Sequence, residues 1–243
     1  MSAISTNFNQ YFKLQFFKEI EEPKSKPTRI VLDENGKKNI SNGSEYNCYF
    51  SSSSCKEEKI VFGKGNECFK LLIEWVLKYH HQTQKISKIL EKPTLFETTE
   101  SIYNFMYNHI QYTENLTRVF APACSWENRS SGIDCKSFSI MASSILLNLG
   151  IKHYIRKVFD KGTAHVYIVV PLNQTSGVIT NKSKYGIDYY VIDGAAHKNI
   201  EFPFQTLLYD INPLEIKKQY VKREFLKVTG ILALLVFLGA KAN

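Results

Sequence analysis

The sequence predicts an α+β protein with helices packed on an antiparallel sheet. Apolar residues recur at i, i+3 and i+4 in three stretches of the first 150 residues, the pattern of helices with a buried face. After Gly150 the period becomes two, in runs rich in Val, Ile and Tyr. The helices come first and the strands follow. That order points to helices laid against hairpin-connected strands.

Residues 1 to about 40 mix Phe8, Tyr11, Phe12, Phe16 and Phe17 with lysines and two prolines. Within them, 9–20 reads as a short amphipathic helix. Residues 28–32 read as a strand, stopped by Asp33-Glu34-Asn35-Gly36. Residues 41–59, with Ser51-Ser52-Ser53-Ser54, read as a loop or linker. Phe69, Leu72, Ile73, Val76 and Leu77 predict a helix near 66–81. Ile102, Phe105, Met106, His109 and Ile110 predict a second, capped by Thr98 or Thr99. His80, His81 and His109 lie on or near these helices, and no metal-ligand set is visible among them.

Residues 112–131 read as a loop broken by Ala121-Pro122-Ala123. The most apolar helix follows. Asp134 is a good N-cap, Phe138, Met141, Ala142, Ile145, Leu146 and Leu149 keep the stripe, and Gly150 suits the position just past the end. Strands are expected at 152–159, 164–170 and 189–192. Asp160-Lys161-Gly162 turns between the first two, and the polar stretch 173–186 forms a long hairpin loop. After Phe202-Pro203-Phe204 the pattern is less regular.

The chain of 243 residues suits one domain with extensions, or one and a half domains, and is long enough to bury a real core. Net charge is +8, from 31 Lys+Arg against 23 Asp+Glu, which favours acidic partners or a lysine-rich solvated surface. No arginine-rich run or aromatic–basic interleaving is present, so nucleic acid is not an expected partner. Five cysteines, Cys48, Cys55, Cys68, Cys124 and Cys135, form neither a disulfide framework nor a CxxC knuckle, and a reducing compartment is the simpler inference. No cleavable signal peptide is expected, which suits a cytoplasmic or virion-associated protein. The apolar run 228–240 is shorter than the ~20 residues of a spanning helix. Flanked by Lys217, Lys218, Lys222, Arg223 and Lys227, it reads either as an interfacial anchor or as a C-terminal helix packed on protein.

Three residues carry the chemistry. Cys135 opens the apolar helix, where the dipole and free N–H groups favour the reactive thiolate. His165 sits inside a strand pattern, where burying an imidazole is costly without a partner. Asp193 ends the next strand, where a carboxylate can fix the imidazole tautomer. If the helix packs on the strand pair, the three meet as nucleophile, base and orienter. Cys124 is the rival nucleophile, Asp188 the rival orienter, and His153 and His197 the rival bases.

The stretch Gly132-Ile133-Asp134-Cys135, with Phe138, Ala142, Ile145-Leu146-Leu147 and Leu149-Gly150-Ile151, resembles the transglutaminase-like superfamily of papain-like cysteine enzymes. Ala164-His165-Val166-Tyr167-Ile168 resembles its histidine strand, and Tyr190-Val191-Ile192-Asp193 its aspartate strand. Residues 99–112 are similar to the helix before its catalytic loop, which often ends in a tyrosine. The resemblance covers roughly 66–200 and is nearest to small forms encoded by bacteriophages and their bacterial hosts. It implies Cys135 as nucleophile, His165 as general base and acid, and Asp193 as orienter. Trp126, Ser125 and Asp134 are the implied oxyanion or pocket residues. Lys136 departs from the acidic residue or Arg that often follows the cysteine. Nothing resembles the calcium sites or accessory β-domains of animal transglutaminases.

The expected division is an N-terminal extension and linker at 1–64, a catalytic core at 65–205, and a basic segment with apolar tail at 206–243. The expected function is cysteine-dependent amide hydrolysis through an acyl-enzyme, in a protein or a peptidoglycan stem peptide, with no cofactor and no metal. Membrane or virion contact is expected through 225–243. The alternatives are a non-catalytic module of a viral particle or membrane-associated assembly, and an acyl-transferring transglutaminase.

Overall fold

The computed structural model describes residues 39–50, 55–59, 65–114, 117–175, 188–196, 201 and 204–219. The expected helix at 9–20, the strand at 28–32, most of the 173–186 loop, His197 and the apolar tail lie outside these residues. In chain order come a 3-10 helix Ser44–Tyr49, strand β1 Glu57–Lys59, helix α1 Gly65–Tyr79, a 3-10 helix His80–Thr83, α2 Gln84–Leu90 and α3 Leu95–His109. Then follow β2 Arg118–Phe120, α4 Pro122–Glu127, α5 Cys135–Asn148, β3 Tyr154–Asp160, β4 Thr163–Pro171, β5 Tyr189–Ile192 and β6 Thr206–Ile211. Strands β1 and β2 form a small antiparallel pair. The main sheet is antiparallel throughout, in the order β5-β4-β3-β6. The α+β class and the antiparallel sheet stand as expected. Among the described residues, no helix is long and apolar enough to cross a membrane.

Helix α5 is the centre of the molecule. Every residue from Lys136 to Leu147 is buried, and the helix touches α1, α2, α3, α4, the 3-10 helix His80–Thr83 and β4. A helix surrounded on all sides must be apolar or small on all sides, and Ser137, Ser139, Ser143 and Ser144 are its small buried residues. The Asp134 side chain caps its start by accepting the Ser137 N–H at 3.2 Å. Gly150 closes its end at φ 68°, the left-handed conformation that glycine takes without strain.

The sheet follows from alternation along β4. Val166, Ile168 and Val170 join the core around α5. Tyr167 and Val169 form a second cluster with Val158, Tyr189 and Val191. Strands β3 and β4 are joined by the two-residue turn Lys161-Gly162, both at positive φ, which matches the twist of an antiparallel pair. A buried polar network ties the strands across. Arg156 on β3 donates from Nε and Nη2 to Asp210 at 2.8 and 2.7 Å, and from Nη1 to Glu201 at 2.8 Å and Tyr189 at 3.0 Å. Tyr167 donates to Glu201 at 2.9 Å.

The structure corrects several expectations. The 41–59 linker holds a 3-10 helix and β1, and residues 41–50 pack on α3 and α4. Ser41 N donates to Asn108 O at 2.7 Å, and Phe50 stacks on Trp126 and Phe105. Its Ser/Asn composition looks like linker because the partners of Tyr46 and Phe50 lie far along the chain. The 112–131 loop contains β2 and α4. Helix α3 starts earlier than expected: Thr94, not Thr98 or Thr99, is the cap, in a reciprocal capping box with Glu97. The irregular segment after 204 supplies edge strand β6. The cysteines are not all free: Cys55 and Cys124 form a disulfide. The pairing of β1 with β2 brings them together, with Ala121 N donating to Lys56 O at 2.9 Å, across a sequence separation of 69 that no spacing rule reveals.

Candidate active site

Asp134 places Cys135 on the first turn of α5, at the end whose N–H groups lack helical acceptors. The cysteine is a free, partly buried thiol. The loop before it is held by a parallel bridge between Ile133 and Tyr112. Gly132 in that loop sits at φ 101°, and a Cβ there would run into Thr113. Only glycine suits both demands, so the residue three before the cysteine fixes where the cysteine goes.

His165 lies early on β4 and is fully buried. Its Nε2 donates to Asp193 Oδ2 at 2.7 Å. Asp193 follows the last residue of β5, and its Oδ1 accepts the Ala195 N–H at 3.2 Å, which fixes the carboxylate's orientation. Close packing holds the strand end: a Cβ at Gly194 would come within 2.6 Å of the Phe138 ring on α5. The imidazole stacks on Tyr167 at 5.6 Å. Burial alone would lower its pKa. The Asp193 carboxylate, and the hydrogen bond and charge of Cys135, outweigh burial and push it up to about 10. With Nε2 engaged by Asp193, the ring's second nitrogen is Nδ1, and the charge of Cys135 acts on the same ring.

The residues predicted from sequence as nucleophile, base and orienter are therefore brought to one place. The three oxyanion or pocket candidates fare differently. Asp134 is buried as the helix cap and is paired with Lys136. Burial pushes its carboxyl up, and Lys136 and Ser137 only partly reverse that. Trp126 belongs to the core instead: its indole N–H donates to Asn47 at 2.9 Å, and its ring stacks on Phe50 and Phe105. Ser125 is fully buried on α4, and its hydroxyl has no hydrogen-bond partner among the described residues.

The rivals are placed elsewhere. Cys124 is in the disulfide. Asp188 is exposed at the other end of β5. His153 is buried with Nδ1 donating to Ile151 O at 2.8 Å and Nε2 accepting from Ser143 Oγ at 2.7 Å. Burial pushes its pKa down to about 4, which suits a neutral structural ring. His80, His81 and His109 each bond a nearby backbone carbonyl. Among the described residues, Cys55, Cys124 and Glu127 group as metal-type donors, and both of those sulfurs are held in the disulfide.

Tyr112 joins the site although sequence reasoning marked it only as the end of a helix. Its ring is buried and stacks on Phe138 at 6.4 Å. Burial first, then the charges of Cys135, Asp134, Glu114 and Asp193, push its phenol up. The signal was its place at the end of the stretch 99–112, well before the cysteine in sequence, which becomes meaningful only once the bridge to Ile133 is seen. No protein-family model, curated protein or solved structure matches the chain.

Proposed function

We propose that the protein is a cysteine-dependent amide hydrolase acting through Cys135, His165 and Asp193, on a transglutaminase-like version of the papain-like core. The observation that carries this reading is the 2.7 Å bond from a fully buried imidazole to Asp193, on a ring that also feels the charge of the Cys135 thiol. A module that had lost its chemistry would have no need of a buried ion pair beside a free thiol.

The steps follow from that arrangement. The Cys135 sulfur attacks the amide carbon, and the carbonyl π pair moves onto oxygen. In this reading the first-turn N–H groups of α5, the helix that Cys135 opens, stabilise that charge. As the intermediate collapses, the C–N bond breaks and His165 gives its proton to the departing amine. The thioester left on Cys135 is then attacked by water. His165 takes the water's proton, and as the C–S bond breaks the Cys135 thiolate leaves the carboxylic acid product, restoring the thiolate beside a protonated ring. Asp193 holds the ring's tautomer throughout. The substrate class proposed is a peptide, in a protein or a peptidoglycan stem.

The test is hydrolysis of casein and of purified peptidoglycan by wild type and Cys135→Ala, with peptide mapping after iodoacetamide. The reading predicts turnover and Cys135 labelling in wild type, and turnover lost in the variant. Turnover that survives Cys135→Ala, or a native thiol inert to alkylation, rejects it.

A further inference from the structure

We propose that Lys136 is a positioning residue of the site, whose buried ammonium neutralises the Asp134 carboxylate so that an anionic helix cap can stand beside the reactive thiolate of Cys135. The inference rests on the hydrolase reading above for Cys135 as the reacting sulfur, and it names what tunes that sulfur.

Asp134, Cys135 and Lys136 are consecutive. The two charged residues are both buried, and their side chains form an ion pair from either side of the cysteine in sequence. The carboxylate has a helical task. Its Oδ1 accepts the Ser137 N–H at 3.2 Å. Ser137 Oγ in turn accepts the Phe120 N–H at 3.1 Å, which ties the capped turn to β2. An anion in that place also opposes a second anion on the next residue. Left unpaired, Asp134 would work against the thiolate that the helix N-terminus favours.

Lys136 resolves that conflict. It is the second residue of α5, at the positive end of the helix dipole, where a cation is unfavourable to the helix. Burying an ammonium there adds a desolvation cost. Capping alone asks for neither charge, because asparagine or serine caps a helix without a counter-ion. The ammonium is in the wrong place for the helix and in the right place for an anion on the neighbouring residue. Burial pushes the Asp134 carboxyl up, and among the groups that pull it back Lys136 acts most strongly. The paired carboxylate keeps its oxygen for Ser137 while its charge is cancelled next to the sulfur. Lys136 thus acts on Cys135 through Asp134.

The experiment measures alkylation of Cys135 by iodoacetamide at pH 7 in wild type, Lys136→Met, Lys136→Arg and the double variant Asp134→Asn with Lys136→Met. Peptide mapping gives the rate, and Cys48, an exposed free thiol of the same chain, is the internal reference. His165, Asp193 and Tyr112 are the same in all four proteins. The expected result is Cys135 alkylation slowed about tenfold relative to Cys48 in Lys136→Met, the scale of one nearby charge. Lys136→Arg restores the rate, and so does the double variant, which has a neutral cap and no charge to cancel. An unchanged rate in Lys136→Met overturns the inference. So does an arginine variant as slow as the methionine one, or a double variant as slow as the single, since either would put the effect on packing. If Lys136→Met does not fold by circular dichroism, Lys136→Gln, which keeps a donor for the carboxylate but no charge, is read for the same two outcomes. Alkylation needs no amide substrate. A wild type that alkylates at Cys135 but cleaves neither casein nor peptidoglycan would therefore sink the hydrolase reading while this comparison is still read.

Discussion

His165→Ala will lower amide turnover by on the order of 10³-fold, the scale of a positioned general acid–base, while the protein stays folded. The same ring fixes the pH profile. His165 must be protonated to give its proton to the leaving amine. Its pKa is pushed up to about 10, against burial, by Asp193 and Cys135. Acylation therefore holds through neutral pH and falls as pH rises toward about 10, rather than near 6.5. Asp193→Asn keeps an oxygen to accept the Nε2–H but removes the charge. The alkaline limb will then move to lower pH. Rates of amide hydrolysis between pH 6 and 11 for the three proteins check this. A limb that stays in place in Asp193→Asn would show that the carboxylate does not hold the ring.

The largest effect on stability is expected at Arg156→Met. The guanidinium is 1% exposed and serves Asp210, Glu201 and Tyr189 together. Removing it leaves two carboxylates largely buried without their counter-ion. Breaking a buried pair in this way costs about 3–5 kcal/mol, and in a chain of this size each kcal/mol moves Tm by about 2–4 °C. A fall of about 10 °C in thermal unfolding by circular dichroism is the expected outcome. Adding Glu201→Gln and Asp210→Asn to the Met variant should recover part of it, because the cost comes from the orphaned charges. A Met variant as stable as wild type would mean the network is neutral to folding. Since Tyr167 both donates to Glu201 and stacks on His165, the network also supports the His165 ring.

The parts legible in sequence are those whose cause is local. Asp134 caps the helix that Cys135 opens because capping needs only neighbours. His165 and Asp193 stand out because each interrupts or ends a β-prone run. What was hidden depends on distant partners. Tyr46, Phe50 and Trp126 form one aromatic cluster from segments about 80 residues apart, so Trp126 resembled a pocket residue and 41–59 resembled a linker. Strand β6 lacks clean alternation because it is partly exposed and, among the described residues, stands at the sheet edge paired with β3. Asp210 carried no signal until Arg156, on the neighbouring strand, was found to hold it. Cys55 and Cys124 were bound to look unpaired, because only the β1–β2 pairing joins them.

The central claim is that the sulfur of Cys135 and the ring of His165 are partners. Its most direct test is the NMR titration of the His165 ring in wild type and Cys135→Ala, with the resonance assigned by its loss in His165→Ala. The account predicts a wild-type midpoint well above 6.5, toward 10, that falls when the sulfur is removed. The same midpoint in both proteins would contradict it.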